Sequence, residues 1–423
     1  MSKKLIAAAI AFASMHSALS QADTSDQSMF SFRGFGTVGV VHSSEKGADY
    51  VGTVFQPNGA GRTHEWDMNV DSKLGAQVTA TFSDKFSAVI QAVSQHQYDN
   101  SYRPLIEWAN VKYQATSELS IRAGRIVLPS FLISDSRLVG YANPWIRPPE
   151  EVYFIASITN NDGADITYRS QIGDATNSLQ AFYGSNTTHA PTSTVKSKPS
   201  WGLNDSVELG SLTLRAGYIS SKLDLNVREL EPLLSGLDQF GDAAVAFGFQ
   251  SAGNQAHAMA DKYSLSDIQV HIYTLGANYD PGNWFVMAEV AKFDAEGFLA
   301  DSKAGYVTGG YRFGKFTPYV TIAKVKSDST TEDGISTAGL PGAFADGATS
   351  LNAGINAVLP NFPKSQKSAS IGVRWDFMRS ADLKVQYDRL SLEDDTTGRL
   401  TNAETGFDGG KVNVISAAID FVF

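Results

Sequence analysis

A closed antiparallel β-barrel of sixteen strands crossing a membrane, an all-β fold, is what this 423-residue sequence predicts. Three observations carry the prediction. Hydrophobicity alternates with a period of two along most of the chain. The connections between alternating stretches are short and long by turns. And each apolar row is backed by a row of charged and polar residues.

The N-terminus sets the compartment. "MSKK" is basic, "LIAAAIAFASM" is an apolar core of signal-peptide length, and "SQA" (Ser20 to Ala22) places small residues where a signal peptidase reads them. Residues 1–22 are therefore expected to be a signal peptide, with cleavage after Ser20 as the other option. The mature chain, 23–423, is expected to form a single barrel domain, because no linker or change of composition divides it. Without Lys3 and Lys4 it holds 32 basic against 44 acidic residues, a balance that argues against a nucleic-acid partner. The absence of cysteine excludes disulfides and thiolate chemistry. Neither a metal site nor a cofactor is expected. No run of 18 apolar residues follows the signal, so a spanning helix is not predicted.

"FRGFGTVGVVH" lies in the first predicted strand, 30–42. Gly34, Gly36 and Gly39 have the spacing of a dinucleotide-binding turn, but no helix follows and no acidic residue is placed for a ribose. In a strand such glycines mark bending or the close approach of another group. Further strands are expected at 65–83, 85–97, 105–116, 119–127, 162–171, 177–185, 202–209, 211–221, 267–280 and 283–294. The last five are expected at 303–313, 316–327, 366–378, 382–392 and 411–423. The later ones show the pattern well. In "SASIGVRWDFM", Ile371, Val373 and Trp375 alternate with Ser370, Gly372 and Arg374. In "ADLKVQYDRL", Leu383, Val385 and Tyr387 alternate with Lys384, Gln386 and Asp388.

Short turns such as "SDK", "TSE", "GS", "DPGN" and "GK" alternate with long loops at 43–64, 98–104, 128–161, 186–201, 222–266, 295–302, 328–365 and 393–410. A soluble sandwich has no reason to segregate them, whereas a transmembrane barrel has short periplasmic turns and long extracellular loops. Its apolar rows would meet lipid and its polar rows water, and closure would remove edges that hydrocarbon does not tolerate. Aromatics near strand ends, among them Phe30, Phe32, Phe82, Trp284 and Phe313, would form an interfacial girdle. The 222–266 and 328–365 loops read as Ala/Gly/Ser-rich surface segments without identifiable chemistry.

Segment 128–161, "LPSFLISDSRLVGYANPWIRPPEEVYFIASITNN", holds four prolines and too many apolar residues for a loop in water. Ordering it costs roughly 1–2 kcal/mol of backbone entropy per residue, so it should pack on the barrel's inner wall.

With the closing "ISAAIDFVF", these features make the chain resemble the general diffusion porins of the Gram-negative outer membrane. The resemblance implies a homotrimer in outer-membrane lipid that passes small hydrophilic solutes and ions. It also implies that the third loop, 128–161, folds into the lumen as a constriction. Acidic Asp135, Glu150 and Glu151 would face basic Arg33, Lys73, Lys112, Arg122 and Arg169 on the wall, with Arg137 and Arg147 on the loop itself. Ile419, Phe421 and Phe423 would be the C-terminal signal read by the barrel-assembly machinery. The "PEFGG"-type loop motif of the family is absent, and "RPPEEVY" is a loose counterpart. Two other readings stand beside this one. Inward arginines would suit a channel selective for phosphate or other anions. An outer-membrane hydrolase would need a nucleophile beside one of the six remaining histidines, and no such spacing is apparent.

Overall fold

The computed structural model describes residues 28–329, 331–393 and 396–423, so the signal-peptide reading of 1–22 lies outside the described residues. Sixteen long strands run antiparallel in chain order. They are β1 (Phe30–Ser43), β2 (Lys73–Thr81), β3 (Phe86–Gln95), β4 (Leu105–Gln114), β5 (Leu119–Val127), β6 (Asn160–Ile172), β7 (Ala175–Ala190) and β8 (Ser193–Leu209). The second half is β9 (Leu212–Asn226), β10 (Ile268–Tyr279), β11 (Trp284–Ala295), β12 (Ser302–Tyr311), β13 (Phe316–Ser327), β14 (Gln366–Met378), β15 (Ala381–Leu392) and β16 (Lys411–Val422). Each pairs with the next, and β1 pairs with β16 from Phe35↔Val422 to Ser43↔Val414, which closes the cylinder.

Alternation decides which face each side chain takes. On β15, Val385 and Tyr387 are 44% and 37% exposed, while Lys384, Gln386 and Asp388 between them are buried. The exposed row continues through Ile371, Val320, Ile322, Val307, Val290 and Leu275 on neighbouring strands. An apolar surface of this extent needs an apolar solvent. Near the short turns Phe30, Phe82, Phe313 and Phe316 are exposed, as an interfacial girdle would be. In two of those turns Gly210 (φ +56) and Gly314 (φ +60) take the left-handed conformation that the absence of a Cβ allows.

The glycines of "FRGFGTVGVVH" serve clearance. A Cβ on Gly34 would overlap the Phe423 ring and one on Gly36 the Phe421 ring, while on Gly39 it would come within 2.7 Å of Asp71 Cβ. Gly34 also exchanges two backbone hydrogen bonds with Phe423, of 2.7 and 3.0 Å. The spacing therefore belongs to the seam of the barrel.

Three expectations need correction. The second expected strand, 65–83, is interrupted: Trp66 and Asp67 pair with His42 and Val41 of β1, and the continuous strand begins at Lys73, because Asp67 accepts hydrogen bonds from Asn69 N and Val70 N and turns the chain between the two parts. Expected loop 186–201 is largely strand: β7 and β8 run to a tight turn at 190–193, and Pro199, which cannot donate to the ladder, falls in a register shift between Ser197 and Trp201. Finally, the loops read as surface segments carry helices. These are Glu231–Ala246, Gln250–Lys262 and Gly342–Val358, packed through Leu237, Ala256, Met259, Ala348 and Ile355. Their many Ala, Gly and Ser residues permit close helix approach, and the same composition hid their amphipathicity.

Candidate functional site

The long connection between β5 and β6 is built around rings that need partners. Phe131 and Tyr153 pack at 4.8 Å, Trp145 sets its edge on Tyr306 of β12, and all of these are buried. The Trp145 indole N–H donates to the hydroxyls of Thr308 and Thr321, both at 3.0 Å. An indole buried without such acceptors would be costly. A one-turn helix, α1 (Glu150–Tyr153), follows.

Polar residues of the wall hold the backbone of this segment. Lys384 of β15, fully buried, donates to the carbonyls of Gly140 (2.7 Å) and Trp145 (3.1 Å) and to Asp420 of β16 (2.8 Å). Arg374 of β14 donates to the carbonyls of Tyr141 (2.6 Å) and Asn143 (3.2 Å). Arg215 of β9 reaches Pro129 O at 3.0 Å. Glu289 of β11 accepts from Leu132 N (2.7 Å) and from the Tyr153 hydroxyl (2.9 Å). Every one of these side chains lies on the face opposite the exposed apolar row. The segment is thus fastened to the polar side of β9 and of β11 to β16.

Arg147 is the charged centre of the attachment. It is 6% exposed and donates to Asp71, to Ser416 Oγ (2.7 Å) and to the Tyr50 hydroxyl (3.1 Å), with Asp388 at 3.5 Å and Glu150 at 3.7 Å. One guanidinium therefore meets three carboxylates. Burial pushes the Glu150 carboxyl up to about 8, only partly opposed by Arg147, so that Glu150 keeps its proton at neutral pH while Asp71 makes the close ion pair. The Arg147 guanidinium is pulled down by burial, but Asp71, Tyr50, Asp388 and Glu150 outweigh this and hold it well above its usual range. Glu151, also buried, accepts from Gln366 Nε2 at 2.8 Å, and its carbonyl accepts from Arg399 at 3.1 Å. Arg137 binds its own segment through the carbonyls of Tyr153 (2.7 Å) and Ala156 (2.9 Å), and burial lowers it to about 10.

The residues expected at a constriction thus fall into distinct settings. Glu150, Glu151 and Arg147 are buried in the attachment, and Arg137 is internal to the segment. Asp135 is exposed. Arg122 is matched by Asp165 of β6, with Nε to Oδ2 at 3.0 Å. Lys73 shares with Arg137, Arg147 and Tyr153 a cavity of about 270 Å³ between the segment and the wall on the β2 side. Arg33 and Arg169 are exposed toward the short-turn end, and Lys112 lies beside Arg122 in register. Among the described residues, these last three make no ion pair. Ile419 lies on the exposed apolar row, and Phe421 stacks on Phe423 at 6.2 Å. The fastening role of Lys384, Arg374, Glu289 and Asp71 was not legible in sequence. Their place on the polar rows was, but nothing in one chain's alternation names a partner 76 to 244 residues away.

A closed sixteen-strand antiparallel barrel, apolar outside and polar inside, with a long connection fastened to the polar wall, defines an outer-membrane porin fold. Solved structures agree. OmpF of Salmonella typhi, in complex with daunomycin, matches with a TM-score of 0.52 at 13% identity, covering 93% of this chain and 97% of its own. An anion-selective porin from Comamonas acidovorans gives 0.53 at 11%, covering 93% and 99%. The outer membrane channel DcaP of Acinetobacter baumannii gives 0.52 at 12%, covering 95% and 100%. No protein-family model matches the chain, and no curated protein matches it in sequence. Identities this low establish the fold, which is that of Gram-negative outer-membrane porins.

Proposed function

We propose that the chain, as a single domain over 23–423, is a water-filled channel of the bacterial outer membrane for passive diffusion of small hydrophilic solutes and ions. The observation that supports this best is the fastening of 128–161 to one side of the polar wall. A segment held there narrows the lumen without supplying chemistry, and what passes is selected by size and by the field of fixed charges. The reading is non-enzymatic. Lys73 and Asp135 are the charges we assign to the open side of the neck, with Arg147, Glu150 and Glu151 behind it as structural groups. We further propose a homotrimer, assembled by machinery that reads Ile419, Phe421 and Phe423.

A channel selective for one anionic solute is the second reading, favoured by Lys112 and Arg169, cations of the polar face that make no ion pair among the described residues. Planar-bilayer recording under a potassium chloride gradient separates the two. Discrete conductance steps with a modest reversal potential support a general channel. Saturation by one solute supports the selective one, and silence from correctly folded protein would defeat the open-channel reading.

A further inference from the structure

Glu107 sits where the register of the wall breaks. Between β3 and β4, Gln91 lies opposite Trp108 and Ala92 opposite Ile106, so Glu107 is an extra residue with no partner on β3. A bulge of this kind re-aims a side chain. Ile106 is 42% exposed on the apolar face, whereas Glu107 is 8% exposed and lines the cavity of about 270 Å³ that borders Lys73 and Arg137. Thr159 and Asn160 stand beside its carboxylate. Its Oε1 nonetheless has no hydrogen-bond partner among the described residues. A buried oxygen left without a donor is costly, and more so when it belongs to a charged group.

The same cavity holds an excess of cations. Arg147 and Arg125 border it but are matched by Asp71 and Asp162. Lys73, Arg103 and Arg137 also border it, and among the described residues none of these three has a carboxylate within ion-pair distance. Lys73 opens β2, Arg103 stands two residues ahead of β4 and Glu107 is the third residue of β4, so these groups gather at the long-loop end of the wall. The arrangement departs from acids on the segment facing bases on the wall, which the resemblance implies. Here the wall supplies the unpaired carboxylate oxygen, and the segment supplies one of the cations.

We propose that this cavity binds a small α-amino acid, its ammonium group on Glu107 and its carboxylate on the side of Lys73, Arg103 and Arg137. The inference rests on the channel reading and names the solute class for its neck. An ammonium group supplies the donor that Oε1 lacks, in a charge-assisted bond stronger than a neutral one. A plain anion would use the cations but be repelled by Glu107, and a plain cation would meet three unmatched cations. Only a solute with both charges uses both halves. The cavity, at about 270 Å³, also falls below the roughly 300 Å³ at which pockets for drug-sized molecules begin, as a small amino acid requires.

The test is uptake by proteoliposomes holding the full mature protein. Three solutes of one shape are compared: L-α-aminobutyrate, L-α-hydroxybutyrate, in which a hydroxyl replaces the ammonium, and L-α-aminobutyramide, in which an amide replaces the carboxylate. In wild type, α-aminobutyrate should half-saturate uptake at a concentration at least tenfold lower than either analogue. Glu107→Gln should raise that value at least tenfold and erase the lead over α-hydroxybutyrate. Lys73→Gln combined with Arg103→Gln should erase the lead over α-aminobutyramide. Equal or unsaturable uptake of all three by wild type, or a Glu107→Gln channel that keeps the preference, would overturn the proposal. Tighter α-hydroxybutyrate would reassign the cavity to a plain anion, and so overturn the amino acid. Should a variant not fold, the wild-type comparison decides by itself. Potassium chloride conductance is recorded on the same samples. No conductance from folded protein would refute the channel reading, whereas open channels that treat the three solutes alike would refute the amino-acid site alone.

Discussion

Replacing Lys384 by methionine should release the central attachment of segment 128–161. The ammonium group is fully buried and has three acceptors, Gly140 O, Trp145 O and Asp420. Methionine roughly keeps the stem but leaves the Asp420 carboxylate with Thr37 as its remaining hydrogen-bond partner and strands two carbonyls. Removing one partner of a buried ion pair costs about 3–5 kcal/mol, and the carbonyls lose charge-assisted bonds as well. The segment keeps Arg374, Arg215, Glu289 and the Trp145 contacts, so the expected result is a change in its docking equilibrium and not loss of the barrel. About 3 kcal/mol is on the order of a hundredfold in the ratio of docked to undocked segment. Single-channel recording should show frequent transitions that are rare in wild type, and liposome swelling should admit larger sugars. Adding Asp420→Asn, which removes the uncompensated charge, should recover part of the effect, as coupled neighbours do in a double-mutant cycle. Unchanged conductance and size exclusion in a folded Lys384→Met barrel would refute the reasoning, as would a double variant no better than the single.

Other expectations concern charge and the seam. Glu150 carries its proton up to about pH 8 when the segment is docked and only to its ordinary 4.5 when it is not. Docking therefore takes up a proton between these values: this contribution is full below about 4.5 and disappears as pH rises through about 8. Transitions should become more frequent from pH 6 to 9 in wild type and stay flat in Glu150→Gln; pH-independent wild-type gating would count against this. Asp135→Asn should shift the reversal potential toward anions and Lys73→Gln toward cations, and if neither moves it, those groups do not line the neck. Gly36→Val forces a side chain into the Phe421 ring. Overpacking of this kind costs about 1–3 kcal/mol, so the gel shift on heating should occur at lower temperature, and an unaltered transition would show that the seam relaxes freely.

The barrel, and the side of its wall that each strand residue takes, can be read from residue spacing. A strand's side chains alternate by geometry, and a lipid-facing row must be continuous, so Val385 and Tyr387 against Lys384 and Asp388 could be read from spacing alone. The glycine triplet could be placed in a strand for the same reason, although the rings it clears, Phe421 and Phe423, lie at the other end of the chain. The helices of the outer loops escaped notice because small-residue faces give weak periodicity, and β7 and β8 ran past their expected ends because Thr, Ser and Lys make strands as well as loops. Which charges meet depends on the closed fold. Closing the cylinder brings Asp71, Asp388 and Ser416 around Arg147, and Lys384 beneath Gly140 and Trp145. It buries Glu150 and Glu151, which sequence alone would leave in water, and leaves Asp135 exposed. Alternation is a local property of the backbone, whereas the pairing of buried charges depends on strand register and on the path of one long segment across the wall.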